Sequence, residues 1–204
     1  MKCVRFAVGL LSCLALLSSL QAETQDHVPA QFGGLINDYS PSSVKSGPWE
    51  MHGQWTMNIN QWAGTADFSA DMTMSGYGKT ATGAADPTQG GANAHTHHIK
   101  LTGIAITWDT TGCPAYSPST YGGFQFTGTV SLLTGNGSNA TFETSPPSSV
   151  LQVCVSGGDG NDSIPFSNIT MTFQSGSPAI VHFGSQPIHG VVRTWNHRGE
   201  FLQR

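Results

Sequence analysis

Charged side chains are scarce in this sequence of 204 residues. Lysine and arginine together number 8, aspartate and glutamate number 12, and charged residues make up only 10% of the chain. An average soluble protein has about 25%. A protein that binds a nucleic-acid backbone needs clustered basic side chains to neutralise the phosphates. Because no such cluster occurs here, we expect no nucleic-acid partner.

Long apolar runs are also missing, except near the start. Residues 6–17 are apolar, but they are fewer than the roughly 20 residues that a transmembrane helix needs, so we expect no transmembrane segment. Two basic residues precede this run and small residues follow it, which is typical of a secretory signal. We therefore predict that residues 1–22 are a signal peptide and that the protein is secreted or periplasmic. The alternative is a lipoprotein, because a lipobox-like sequence ends at Cys13.

Cysteine is rare, and only two cysteines remain beyond the predicted signal peptide, Cys113 and Cys154. An even pair in an oxidising compartment favours a disulfide bond. The alternative is a pair of free thiols in a metal or redox site. It is disfavoured because neither residue belongs to a Cys-x-x-Cys motif.

The 3.6-residue periodicity of an amphipathic helix is absent beyond residue 22. Apolar and polar residues instead alternate with a period of two, as in residues 49–59 and 66–74, which is typical of half-buried antiparallel strands. About nine such segments predict an all-β fold, a single-domain antiparallel β-sandwich or β-barrel over residues 49–204. Residues 23–48 contain several prolines and glycines without sustained periodicity, and we predict an extended leader segment there.

Local features refine this interpretation. The alternation in the strand that runs from about residue 95 to Trp108 changes phase at Gly103, which predicts a β-bulge. A further strand is predicted over residues 179–183. Trp55 and Trp108 are predicted to lie in the core, whereas Trp62 lies in a predicted turn and is the best candidate for an exposed tryptophan.

The most informative motif is Ala94-His95-Thr96-His97-His98. On a strand, His95 and His97 point to the same side, about 7 Å apart along the backbone, so that two imidazoles can share one ion. A third ligand must come from elsewhere, and His182 and His189 are the candidates, flanking a predicted turn. Imidazole ligands favour copper or zinc. Weaker candidate ligands are His52, Glu50 and Asp71.

Two functional hypotheses follow. The first is an exported β-domain protein with a copper or zinc site, with or without enzymatic activity, since no Gly-x-Ser-x-Gly motif or phosphate-binding glycine loop identifies a reaction. The second is a non-catalytic secreted or cell-surface module that recognises a glycan, a protein or a small apolar ligand. Under the second hypothesis the histidines serve as structural or surface polar groups.

Overall fold

The computed structural model describes residues 30–44, 47–76, 78–79, 85–86, 92–114, 123–136, 148–157 and 167–196. The predicted signal peptide and Cys13 lie outside the described residues. The elements are β1 Ala30–Tyr39, β2 Trp49–Asn60, β3 Thr65–Gly76, β4 Gly78–Lys79, β5 Ala85–Asp86, β6 Ala92–Ala105, β7 Gly123–Thr129, β8 Leu132–Asn136, β9 Val150–Ser156, β10 Asn168–Phe173, α1 Ile180–Phe183 and β11 Ile188–Asn196.

Nine strands form one antiparallel sheet in the order β7-β9-β10-β11-β1-β2-β3-β6-β8, and β4 pairs with β5 separately. The large sheet curls into a half-barrel. The predicted all-β fold is therefore confirmed, with a single curled sheet as its architecture. Within the described part of the chain, no helix has the length and apolar character needed to cross a membrane.

The alternating sequence of β2 and β3 explains how the core forms. The two strands pair without interruption from Trp49 opposite Gly76 to Asn60 opposite Thr65. Buried apolar residues alternate along both strands with polar residues that are exposed or partly exposed, and the buried residues join a continuous core. Burial of such side chains, at about 25 cal/mol per Å² of apolar surface, is the main force that holds the sheet curled.

The predicted bulge in β6 is confirmed. Between the pairs that Ala66 and Phe68 of β3 make with β6, the register shifts by one residue. Gly103 lies at this shift with φ of +64°, a left-handed conformation that glycine adopts at little cost. Its N–H donates to Oδ1 of Asp67 at 2.7 Å. The bulge lets β6 keep its apolar side toward the core on both sides of the glycine.

β1 occupies part of the segment predicted to be an extended leader. Ala30–Tyr39 pairs with β2 on one side and with β11 on the other, in the middle of the sheet. A glycine pair obscures its alternation, and packing explains one of the two. A Cβ at Gly34 would lie 1.8 Å from the carbonyl oxygen of Val191 and 2.7 Å from Nε1 of Trp55. Trp55 is 1% exposed, so its indole fills the space that a side chain at Gly34 would need.

The prediction of a strand over residues 179–183 is wrong, because Ile180–Phe183 forms the short helix α1. Pro178 precedes the helix, and proline favours a first helical turn. Gly184 ends it with φ of +85°, and its N–H donates to the carbonyl of Ile180 at 2.9 Å. A short apolar run is compatible with either a strand or a helix, so the flanking proline and glycine were the better signal here.

The edges of the curled sheet approach each other beyond the end of β6. Thr107 forms an isolated antiparallel bridge with Gln125 of β7, and the predicted disulfide between Cys113 and Cys154 is confirmed. Trp108 lies in this connection and is 46% exposed, so its predicted core position is wrong. β6 has ended at this point, and one side of the indole packs on Phe124, with ring centroids 5.4 Å apart.

Candidate metal centre

β6 delivers two of the candidate ligands to the inside of the half-barrel. His95 and His97 are 3% and 2% exposed, and their ring centroids lie 4.8 Å apart. They share a side because side chains two residues apart on a strand point the same way. The intervening Thr96 is exposed, so the alternation expected from the motif is present around these residues.

α1 delivers the third imidazole. The helical turn exposes Val181 and buries His182, which is 8% exposed. Nε2 of His182 lies 2.9 Å from Nε2 of His95. We call His95, His97 and His182 the histidine triad. One ring nitrogen of each lies within 4.8 Å of the others.

These separations suit a metal ion after a small adjustment. Zinc and copper bind imidazole nitrogens at about 2.0 to 2.1 Å, which places two ligands of a tetrahedral ion about 3.3 Å apart. The widest separation within the triad, at most 4.8 Å, would then shorten by at most roughly 1.5 Å. Tilting the rings supplies a movement of this size. Three imidazoles would leave the fourth position of a tetrahedral ion for another ligand.

A backbone carbonyl orients His97. Its Nδ1–H donates to the carbonyl oxygen of Thr134 in β8, at 3.1 Å. This hydrogen bond selects the tautomer in which Nε2 carries the lone pair. Nε2 is buried and accepts no hydrogen bond among the described residues. A ligand histidine in a metalloprotein commonly donates its other ring N–H to a carbonyl or carboxylate in this way.

Aromatic rings wall the triad. The ring of Trp49 lies 4.8 Å from that of His95 and 5.2 Å from that of His182, and the ring of Phe183 lies 5.0 Å from that of His97. Ser40 holds Trp49 through two hydrogen bonds, since the N–H of Trp49 donates to the Ser40 hydroxyl and the N–H of Ser40 donates to the Trp49 carbonyl, both at 2.8 Å. The wall restricts the access of water to the imidazoles.

Burial keeps His97 and His182 neutral. Desolvation lowers the pKa of His97 to about 4, with a smaller lowering by His95, against the raising effect of the hydrogen bond to Thr134. Desolvation, followed by the proximity of His97 and His95, lowers the pKa of His182 to about 3. Neutral imidazole is the form that binds metal, so at pH 7 these two side chains need lose no proton before they bind an ion.

The remaining predicted ligands lie elsewhere. His189 is exposed, and both its backbone N–H and its Nδ1–H donate to Oδ2 of Asp38 at 2.7 Å. It is not in the triad, although the sequence made it as good a candidate as His182. The weaker candidates contact each other or a neighbour: His52 lies against Glu50, and His98 lies against Asp71.

Sequence reasoning missed the residues that support the triad. Thr134, Trp49 and Phe183 carry no motif, and they reach the site only through the pairing of β8 with β6, the start of β2 and the turn of α1.

Trp62, predicted to be exposed, lies in the turn between β2 and β3 and is 75% exposed, which confirms that prediction.

Compared with known protein families, with characterised proteins and with solved structures, the chain matches none of them.

Proposed function

We propose that this protein is an exported β-domain protein that binds one copper or zinc ion through His95, His97 and His182. One observation carries the proposal. Three imidazole nitrogens, supplied by two elements far apart in the chain, lie within 4.8 Å of one another in the interior. Histidine is the commonest metal ligand, and copper and zinc are the ions that imidazole suits best in this kind of site.

The cost of burying three imidazoles supports the same conclusion. A polar group removed from water costs about 1 to 3 kcal/mol in proteins unless a partner compensates. Nε2 of His95 and Nε2 of His182 already lie in contact, 2.9 Å apart. An ion would coordinate one nitrogen from each of the three rings at once. A role in metal binding therefore explains why the core contains three histidines where apolar residues would pack at lower cost.

Export rests on the sequence. The basic start, the apolar run of residues 6–17 and the small residues after it are typical of a cleaved signal. The disulfide between Cys113 and Cys154 is compatible with an oxidising compartment. A secreted or periplasmic location would expose the protein to the metal ions of that compartment.

The test is a metal analysis of the purified protein. We expect about one equivalent of copper or zinc per chain to survive dialysis, because three ligands hold the ion in a buried site. The variants His97→Ala and His182→Ala should lose this metal. Elemental analysis by mass spectrometry measures the metal content per chain directly. Titration of the protein after a chelator has removed its metal measures how much metal it binds again.

His189→Ala is the matched control. It removes an imidazole of the same chain that is 48% exposed and bound to Asp38, so the metal content should stay unchanged. Circular dichroism must show that each variant keeps the β fold. If the wild-type protein holds no metal and takes up none on titration, the proposal is wrong.

Surface recognition is the second candidate function. It is favoured by Trp62, whose indole is 75% exposed in a turn that the side chain of Asn60 fixes by accepting hydrogen bonds from two backbone N–H groups. An exposed indole on a hydrogen-bonded turn suits the face of a sugar or a hydrophobic side chain of a partner. A metal-free result in the experiment above would leave this function as the better explanation.

A further inference from the structure

Methionines lie beside the histidine triad. In the pairing of β3 with β6, Met74 is opposite His95 and Met72 is opposite His97. Met51 of β2 is in turn opposite Met74. All three methionines are at most 2% exposed. Each strand histidine of the triad therefore has a buried methionine as its direct neighbour across the sheet.

This placement puts soft donors close to the ion. Side chains directly opposite each other on one face of an antiparallel pair have Cβ atoms about 4.5 to 5.5 Å apart. Methionine is unbranched, with three rotatable side-chain bonds, so its sulfur reaches the neighbourhood of the opposite imidazole. Thioether sulfur is a soft donor that suits monovalent copper, whereas zinc sites use imidazole, thiolate and carboxylate.

The charge of the site points in the same direction. The triad consists of three imidazoles and includes no carboxylate. The carboxylates of Glu50 and Asp71 are paired with His52 and His98. The cost of burying an ion rises with the square of its charge, so a divalent ion costs about four times as much as a monovalent ion of similar size. A buried, neutral donor set with sulfur beside it favours the ion of lower charge.

We propose that the metal of this site is copper in its monovalent form, Cu(I), and that the thioethers of Met72 and Met74 complete its surroundings. The inference rests on the proposed function, since it names the ion that the histidine triad binds. It separates copper from zinc, which the three histidines alone leave open.

Competition titration of the full chain tests the proposal. Protein from which a chelator has removed the metal is titrated with Cu(I) in competition with bicinchoninate, a Cu(I)-specific chromophore. A separate titration uses Zn²⁺ in competition with a zinc indicator. We expect Cu(I) to bind more tightly than Zn²⁺. In the variant Met72→Leu/Met74→Leu the affinity for Cu(I) should fall about tenfold or more, the size of effect seen when groups around a metal are altered. The affinity for Zn²⁺ should stay within about twofold.

Met57→Leu is the matched control. Met57 is 1% exposed on β2 and pairs with Phe68, so the same substitution is made in the same core beyond the triad. Its Cu(I) affinity should equal that of the wild type. X-ray absorption at the copper edge should also show a sulfur neighbour that the double variant lacks.

The outcomes separate the two proposals. If Zn²⁺ binds at the triad at least as tightly as Cu(I), or if the double variant changes Cu(I) affinity no more than Met57→Leu does, the copper assignment is overturned while the metal site stands. If neither ion binds, both proposals fail. If Cu(I) binds tightly and His97→Ala abolishes the binding, a loss of Cu(I) affinity in Met72→Leu/Met74→Leu supports the part played by sulfur. An unchanged Cu(I) affinity in that variant overturns it.

Discussion

Two imidazoles of the triad, His97 and His182, make the metal-free protein sensitive to acid. His97 and His182 have pKa values lowered to about 4 and about 3, whereas a histidine in the unfolded chain titrates near 6.5. Below pH 6.5 the unfolded chain therefore binds protons that the folded protein excludes. The free energy of unfolding should fall as the pH drops from about 6.5 toward 4, by up to about 1.4 kcal/mol per pH unit for each histidine.

Urea unfolding in the presence of a chelator, from pH 7.5 to pH 4.5, measures this dependence. His182→Leu replaces a titrating ring by an apolar side chain. It should lower the slope of the unfolding free energy against pH by up to about 1.4 kcal/mol per pH unit. Met57→Leu, which changes a buried side chain that carries no titrating group, serves as the control and should leave the slope unchanged. Equal slopes in the wild type and in His182→Leu would contradict the pKa of His182.

At this scale the sequence predicted the ligands better than their surroundings. His95 and His97 share a face because a strand alternates, and that rule needs nothing beyond the local sequence. His182 and His189 flank the same short segment, and no local pattern favours one of them over the other. The choice depends on α1, which buries His182, and on Asp38, which binds His189 on the surface.

At the scale of elements, the centre of the sheet depends on a glycine in β1. We expect Gly34→Ala to destabilise the fold by about 2 kcal/mol or more, because the added Cβ would lie 1.8 Å from the carbonyl oxygen of Val191 and 2.7 Å from Nε1 of Trp55. Relief requires a movement of the backbone of β11 as well as of a buried indole. Equilibrium unfolding in urea measures the loss.

Gly33→Ala is a matched control in the neighbouring position. A Cβ there would lie 2.9 Å from Oγ1 of Thr194, a side-chain tip on an exposed residue that can turn away, and 3.5 Å from the nearest backbone atom. Its cost should be below about 1 kcal/mol. Comparable losses in the two variants would show that the conformation of β1, and not the packing against Trp55, sets the requirement for glycine.

The same glycines show where prediction from sequence stops. Strands such as β2 and β3 have one apolar side and are recognised by alternation alone. β1 has Gly34 where an apolar residue would mark its inner side, since Trp55 of the next strand fills that volume. α1 is too short for helical periodicity to appear, and its ends are marked only by Pro178 and Gly184. In both elements tertiary packing supplies what local pattern lacks.

At the scale of the molecule, β7 and β8 are the two edges of the curled sheet, and the segment that follows β6 reaches the β7 edge. Beyond the end of β6, Thr107 bridges to Gln125, and Cys113 is bonded to Cys154 on β9. Gln125 strengthens this corner by donating from Nε2 to Asp109 at 3.2 Å. The even number of cysteines and the expected oxidising compartment predicted the disulfide. Its place at the gap of the half-barrel follows only from the order of the strands.

Removing this crosslink should weaken the fold and spare the metal site. The two cysteines are 41 residues apart in the chain, so Cys113→Ala/Cys154→Ala frees a long loop in the unfolded state and should lower the free energy of unfolding by roughly 2 to 4 kcal/mol. The triad is held by β6, β8 and α1, on which the disulfide does not lie. Metal content at pH 7 should therefore equal that of the wild type while the urea midpoint falls.

The wild-type protein with its disulfide reduced is the companion sample, and it should unfold at the same urea concentration as the alanine variant. If the variant loses its metal under conditions where circular dichroism still reports a folded sheet, closure of the gap and the geometry of the triad are coupled. The half-barrel would then act as a single unit in which closure at one edge determines the positions of His95 and His97 on β6. If metal is retained, the sheet holds its ligands by local strand pairing and by the turn of α1, and the crosslink serves stability alone.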